Sequence, residues 1–230
     1  INSTSDHLRE MYKSDGLPEG TVILADFQHK GKGRGENIWY SGKGMNILLS
    51  VILYPKINAM DFFLLTEMVS LALIEALKEV KINAQIKWPN DIYVDNKKIG
   101  GILIENSLIN NIIESSIIGI GLNVNEEKFP EDIPNAVSVK NITGRDINRR
   151  ALIDTLLKKL SAQYDSLLAG QTGNMHKRYN SKLFRKNRSS FFSINGEKFE
   201  AIIHSVQENG ILILKSANGE EKQYTFGELE

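Results

Sequence analysis

The residues with the clearest capacity for chemistry lie in one segment, Gln28-His-Lys-Gly-Lys-Gly-Arg-Gly-Glu-Asn-Ile-Trp39, which follows an apolar run. Three glycines at alternate positions, Gly31, Gly33 and Gly35, let backbone amides approach a ligand, and Lys30, Lys32 and Arg34 bring positive charge to the same place. That combination suits a phosphate or a carboxylate; a solvated basic surface loop is the competing account. It is not a Walker loop, because no Gly-Lys-Ser/Thr opens a helix. Nor is it the dinucleotide fingerprint, which runs Gly-x-Gly-x-x-Gly into a helix.

Two further segments carry polar groups where packing alone would not put them. In Lys87-Trp-Pro-Asn-Asp91 an Asp beside an Asn at a strand end can hold magnesium through oxygen ligands, with Lys87 balancing the charge. A turn with a polar tip is the alternative. Lys98 follows, then Gly100-Gly101 and an apolar strand. If Asp95-Asn96-Lys97 makes a hairpin turn, the strand carrying Lys98 returns beside Asn90 and Asp91, so the three groups converge. Glycines inside that strand mark close approach of a ligand or another backbone. Gly119-Ile-Gly-Leu-Asn-Val-Asn125 places asparagines in an otherwise apolar strand, where an amide either reads an adenine edge or makes a turn.

These residues need a frame. Ser3, Thr4 and Ser5 before Asp6 predict a capped helix to about Lys13. Apolar runs predict strands over 21–27, 45–53, 86–88, 92–94, 99–105 and 112–124, the last being one strand or a pair. Helical spacing of Phe62, Leu65, Val69, Ala72, Leu73, Ala76 and Leu77 predicts a helix over 61–78 with one apolar face. Asn148 is placed to cap a second, over 149–168, with Ile153, Leu156, Leu157, Leu160, Tyr164 and Leu167 as its stripe. After a basic run from Lys182 to Arg188, the turns Asn195-Gly196, Asn209-Gly210 and Asn218-Gly219 predict tight hairpins and a small β module. The expected division is 1–184 and 185–230. Strand runs interleaved with long helices give an α+β class: a mixed sheet with packed helices.

Composition sets the bounds. With 230 residues, 41% of them hydrophobic, the chain can bury a sizeable core. Lys+Arg and Asp+Glu both number 28, so no net field draws it to nucleic acid or an anionic membrane. Cysteine is absent, which removes disulfides, thiolate metal sites and cysteine nucleophiles, and fits a reducing, cytoplasmic setting. Neither a signal peptide nor a long apolar stretch is expected to engage a membrane. The opening on Ile1 without methionine suggests that residues precede it.

Taken in order, the segments resemble those of the biotin protein ligases. Ser3-Thr4-Ser5 resembles the family's Asp-Ser-Thr-Asn, Gln28 to Trp39 its biotin and phosphate loop, and Lys87 to Asp91 its Lys-Trp-Pro-Asn-Asp signature. Lys98 to Gly101 resembles its Lys-(Leu/Ile)-(Ala/Gly)-Gly strand, and Gly119 to Asn123 its Gly-x-Gly-x-Asn segment. Two departures stand out: Gly35 comes one position early, and Glu36 stands where glycine is expected. The tail from Phe226 to Glu230 resembles a family Gly-Glu-hydrophobic ending without the arginine often found beyond it.

The resemblance implies a class II synthetase-like catalytic domain followed by a small SH3-like β-barrel. It implies an ATP-dependent ligase that forms biotinyl-5′-AMP and transfers biotin to a lysine of a biotin carboxyl carrier protein. Lys98 and Arg34 would be catalytic. Ser3, Thr4, Gln28, Gly31, Lys32, Arg34, Lys98 and Gly101 would bind biotin; Arg34, Trp39, Lys87, Asn90, Lys98 and Asn123 would bind ATP or adenylate; Asn90 and Asp91 would organise Mg2+. A lipoate ligase is the first alternative. A biotin-responsive DNA-binding repressor is the second, requiring an amino-terminal domain ahead of Ser3; without one no DNA binding is expected. A homodimer is plausible from exposed sheet edges.

Overall fold

The computed structural model describes residues 1–35 and 37–229. Helix α1, Thr4–Asp15, starts where Ser3 accepts a hydrogen bond from Asp6 N and ends at Gly16, whose φ of 64° suits glycine. It lies on β1, Val22–Ala25, and β2, Ile47–Leu53, with Leu8 buried against Ile52 and Ile117. All seven residues of β2 are buried, so its one hydroxyl, Ser50, stands in an apolar run.

Strand β3, Ile57–Asn58, and a 3-10 turn, Ala59–Asp61, lead into helix α2, Phe63–Glu79. Strands β4, Gln85–Lys87, β5, Asp91–Val94, β6, Lys97–Ile109, and β7, Ile112–Leu122, follow. The sheet runs β1-β2-β7-β6-β5-β4, with β3 added on β7. Its strands pair antiparallel, and single parallel bridges at the rim join Ile86 to Leu183 and Lys98 to Ala136. The 112–124 segment is one strand. The 99–105 strand extends to Ile109 because Asn110 and Asn111, both at positive φ, close a tight hairpin into β7.

Helix α2 departs from the one-faced reading: twelve of its 17 residues are buried. The sheet covers one side, while α4, Arg149–Leu168, and α5, Thr172–Ser181, cover the other. Asn148 caps α4 through Ala151 N as expected. Neither α5 nor the short α3, Val139–Thr143, has an apolar repeat strong enough to show in the sequence. Ser138 and Asn141 hold α3 with a reciprocal capping box.

The β module is a four-stranded antiparallel sheet, β11-β10-β9-β8, formed by Ser189–Ile194 (β8), Glu197–Val206 (β9), Leu212–Lys215 (β10) and Glu221–Tyr224 (β11). Each expected Asn-Gly turn joins two of its strands, and Asn195 and Gly196 both take positive φ. The α+β architecture with a separate small β element is therefore present. At the junction Ile86 N donates to Lys182 O (2.8 Å) and Phe184 N to Ile86 O (2.7 Å). Asn180 of α5 reaches β9, accepting from Val206 N (2.8 Å) and donating to Val206 O (3.0 Å). Among the described residues no helix is long and apolar enough to cross a membrane.

Candidate active site

The face of the large sheet that carries α1 also floors a cavity of about 260 Å³. Its lining brings together Ser3, Thr4, Gln28, Lys32, Arg34, Trp39, Asn90, Asp91, Lys98 and Gly101 from four separated segments. One end is neutral and polar. Thr4 N and Thr4 Oγ1 both donate to Gln28 Oε1 (2.6 and 3.0 Å), Ser50 Oγ donates to Thr4 Oγ1 (2.8 Å), and Ser5 and Ser50 hydroxyls lie 2.9 Å apart. Gly119, opposite Ser50 in the sheet, has room only for hydrogen, because a β-carbon there would stand 2.8 Å from Ser5 Oγ.

The other end is charged. Lys98 Nζ is 2.6 Å from Asp91 Oδ1. A register shift between Ile92 and Tyr93 makes this possible: Tyr93 pairs with Lys98 although Ile92 pairs with Gly100, so one residue of β6 is extra. Such a bulge sends successive side chains to exchanged faces. Ile99 is wholly buried in the core, while Lys98 joins Asp91 and Gly101 on the cavity face, its Cε 3.3 Å from where a Gly101 β-carbon would be. The hairpin at Asp95, with φ of 54°, thus achieves the expected convergence of Lys98 with Asn90 and Asp91.

The basic loop is a small hairpin over the cavity. Lys32 bridges Ile38, Trp39 N donates to Gly31 O (2.9 Å), and Gly33 N to Asn37 O (2.7 Å). Gly31 does not line the cavity, and its need for glycine is steric: a β-carbon would meet Trp39 O at 2.5 Å. Lys32 is tied to α1 by Asp6, 2.5 Å away. Partial burial pushes the Asp6 carboxyl up, but the hydrogen bond and charge of Lys32, helped by Arg9, hold it below the usual range. Gly35 takes a φ of 64° that glycine tolerates. Glu36, the other departure in this loop, lies outside the described residues.

Trp39 lies against two glycines that face each other across β6 and β7, Gly101 and Gly121. A β-carbon at 121 would be 2.4 Å from its Cε2, and one at 101 would be 3.1 Å from its Cζ3. Lys98 Nζ sits 5.5 Å from its ring centroid. The buried indole Nε1 has no partner among the described residues, leaving a donor for an acceptor on a ligand. Trp39 and Lys98 also line a second cavity, of about 250 Å³, with Tyr93, Phe129, Pro134 and Asn123. There Asn123 is buried and its amide already donates to Val137 O (3.2 Å).

Three predicted residues, Gly31, Lys87 and Asn123, lie outside the lining of the main cavity. Lys87 turns into a groove between the two sheets, its Nζ 5.0 Å from the Tyr93 ring centroid. Asn90 lines the main cavity, but its Nδ2 donates to Ile102 O (2.6 Å), fixing the end of β5 to β6. Asp91 is the single carboxylate of the cavity among the described residues. That set suits Mg2+, which keeps water and phosphate oxygens beside one or two carboxylates.

Sequence reasoning missed Ser50, the apolar wall of Leu49, Leu103 and Ile120, and the contact of Phe226 with Arg34, 5.2 Å from ring centroid to Cζ. A lone serine in an apolar strand was an available signal for Ser50; the Phe226 contact had none.

The chain is similar to known proteins over most of its length. The Bifunctional ligase/repressor BirA of Bacillus subtilis is 31% identical over 232 residues, covering 98% of this chain and 70% of that protein. The chloroplastic Biotin–protein ligase 1 of Arabidopsis thaliana is 37% identical over 144 residues, covering 60% of this chain and 38% of its own. The biotin protein ligase from Aquifex aeolicus, solved in complex with biotin and ATP, superposes with a TM-score of 0.82 at 28% identity, covering 100% of this chain and 94% of that one. The sequence profile of the Biotin/lipoate A/B protein ligase family matches residues 1–123. It is to that family, and among its biotin protein ligases, that this chain belongs.

Proposed function

We propose that the chain is an ATP-dependent biotin ligase that forms biotinyl-5′-AMP and passes biotin to a lysine of a biotin carboxyl carrier protein. The carrying observation is a single cavity with a neutral hydrogen-bonding end at Ser3, Thr4 and Gln28, backed by Ser50, and a cationic end at Lys98, Lys32 and Arg34. Biotin has that polarity: an uncharged ureido ring, an apolar chain suited to Leu49 and Leu103, and a carboxylate. A lipoyl dithiolane has no comparable donors and acceptors, so it would gain no hydrogen bonds from the hydroxyl and amide groups at that end.

In the first step an oxygen of the biotin carboxylate attacks the α-phosphorus of ATP, and the bond to the bridging oxygen of pyrophosphate breaks. Lys98 would leave Asp91 to hold carboxylate and α-phosphate together, bringing two anions into contact. Arg34 at the cavity mouth would stabilise charge building on the phosphates. Asp91, with Asn90 beside it, would hold Mg2+, which when bound neutralises phosphate charge. The loop ending in Trp39 would cover the anhydride and exclude water. The second cavity, with Asn123, would receive the adenine. In the second step the acceptor lysine nitrogen attacks the acyl carbon and AMP leaves.

Residues 1–184 would form the catalytic domain and 185–230 the β module. Phe184 still hydrogen-bonds to the large sheet, and Lys186 already bridges Ile203 of the small one. The test is pyrophosphate release from ATP on adding biotin or, separately, lipoate. Release with biotin alone is expected; release with lipoate alone, or with neither, overturns the reading.

A further inference from the structure

Arg34 is carried on an exposed loop, and among the described residues no carboxylate lies within ion-pairing distance of it. What its guanidinium meets instead is the β module. Its Cζ stands 5.2 Å from the Phe226 ring centroid, and Gly227 is close enough that a β-carbon there would be 4.0 Å from Nη2. Phe226 is itself locked. It stacks on Trp88 (5.3 Å between centroids, 22° between planes) and packs against Phe62 and Phe63 (5.9 and 5.8 Å). Trp88 Nε1 donates to Gly210 O (2.9 Å) at the β9–β10 turn. Thr225 and Glu228 close the turn that holds Phe226: Glu228 accepts from Thr225 N and from Thr225 Oγ1 (2.7 Å).

We infer that Phe226 is a positioning residue for Arg34: the β module supplies an aromatic face that holds the guanidinium over the cavity mouth. The physics is specific. A ring face is electron-rich and attracts a cation, and a planar guanidinium can lie over it with its N–H edge free for phosphate oxygens. A flexible loop would otherwise spend binding energy ordering that side chain each time ATP arrives. The stack Arg34-Phe226-Trp88 therefore joins the loop, the Lys87 to Asp91 segment and the β module at one point. This inference rests on the ligase reading above, in which Arg34 meets phosphate.

The experiment is biotin-dependent ATP–pyrophosphate exchange on the full chain. The variants are Phe226→Leu, Phe226→Tyr and pentafluorophenylalanine at position 226, which keeps the ring's shape and reverses the charge of its face. The leucine and fluorinated proteins are expected to raise KM for ATP about fivefold or more with KM for biotin unchanged, and tyrosine to restore it. Because the fluorinated ring preserves packing, its melting temperature should match wild type, which separates positioning from stability. In an Arg34→Ala background Phe226→Leu should give no further loss in kcat/KM for ATP. Wild-type KM for ATP in the fluorinated protein, or full additivity with Arg34→Ala, overturns the inference while leaving the ligase reading intact. Absence of exchange in the wild type overturns the ligase reading and the inference with it.

Discussion

At Gly121 a β-carbon would overlap the Trp39 ring at 2.4 Å, far inside carbon–carbon contact, and the strand beneath cannot move without breaking its pairing with β6 and β2. Gly121→Ala is therefore expected to lift the indole and weaken ATP use by about tenfold, or about 1.4 kcal/mol, read as kcat/KM for ATP in pyrophosphate exchange. Gly173 of α5 is the control: nothing lies within 4 Å of its β-carbon position, so Gly173→Ala should keep activity and stabilise the helix by about 0.5–1 kcal/mol on thermal unfolding. Lys98→Ala and Arg34→Ala should each slow adenylate formation at least about tenfold in single-turnover measurements. Near-normal rates in both would show that the cationic end of the cavity does no chemistry. The glycines, the lysine and the arginine were all legible as residue types. That Gly121 serves an indole was not, because the indole comes from a loop more than eighty residues earlier in the chain, a separation no local pattern encodes.

Among the elements, α2 shows best where periodicity stops being informative. Its apolar spacing announced a helix, but burial on nearly all sides carries Glu67 into the interior with no exposed surface. Burial pushes that carboxyl up to about 7 even though His176 Nδ1 of α5 lies 2.6 Å away and counteracts it. Because the ordinary value is 4.5, the folded protein binds an extra proton between about pH 4.5 and 7. The stability from this group is thus greatest below that window, falls as pH rises through it, and levels off above it. Glu67→Gln should remove that slope: its unfolding free energy relative to wild type should climb from pH 5 to about 7.5, by an amount on the order of 2–3 kcal/mol in denaturant unfolding, then stay constant. A pH-independent difference between the two proteins would contradict this. A polar residue inside the apolar repeat was visible in the sequence; its partner on α5 was not, since α5 is polar and has no stripe to announce it.

The whole molecule depends on how the two sheets are joined. Asn180 satisfies both backbone groups of Val206, and replacing it would leave a buried N–H and C=O without partners. Asn180→Ala should cost about 1–3 kcal/mol in denaturant unfolding. If instead the junction tolerates the change within error, the sheets are held by their other contacts, among them the Trp88 hydrogen bond to Gly210 and the packing around Phe226. The division of the chain into an α+β part and a hairpin module was readable, because Asn-Gly turns and helical repeats are local statements about backbone geometry. The way one part completes the other was not readable at all.

What the sequence determined by itself was the order and type of most elements, α3 and α5 excepted, together with the residue types from which the candidate site is drawn. Each of these depends on residues within a turn or two of one another. Only the tertiary structure decided which groups meet. A one-residue bulge turns Lys98 from the core toward Asp91, Ser50 completes the neutral end of the cavity from the middle of a buried strand, and Trp88 finds its acceptor 122 residues away at Gly210. Such pairings are set by strand register and by packing between distant segments. A single register shift exchanges the faces of a strand while leaving its sequence pattern unchanged.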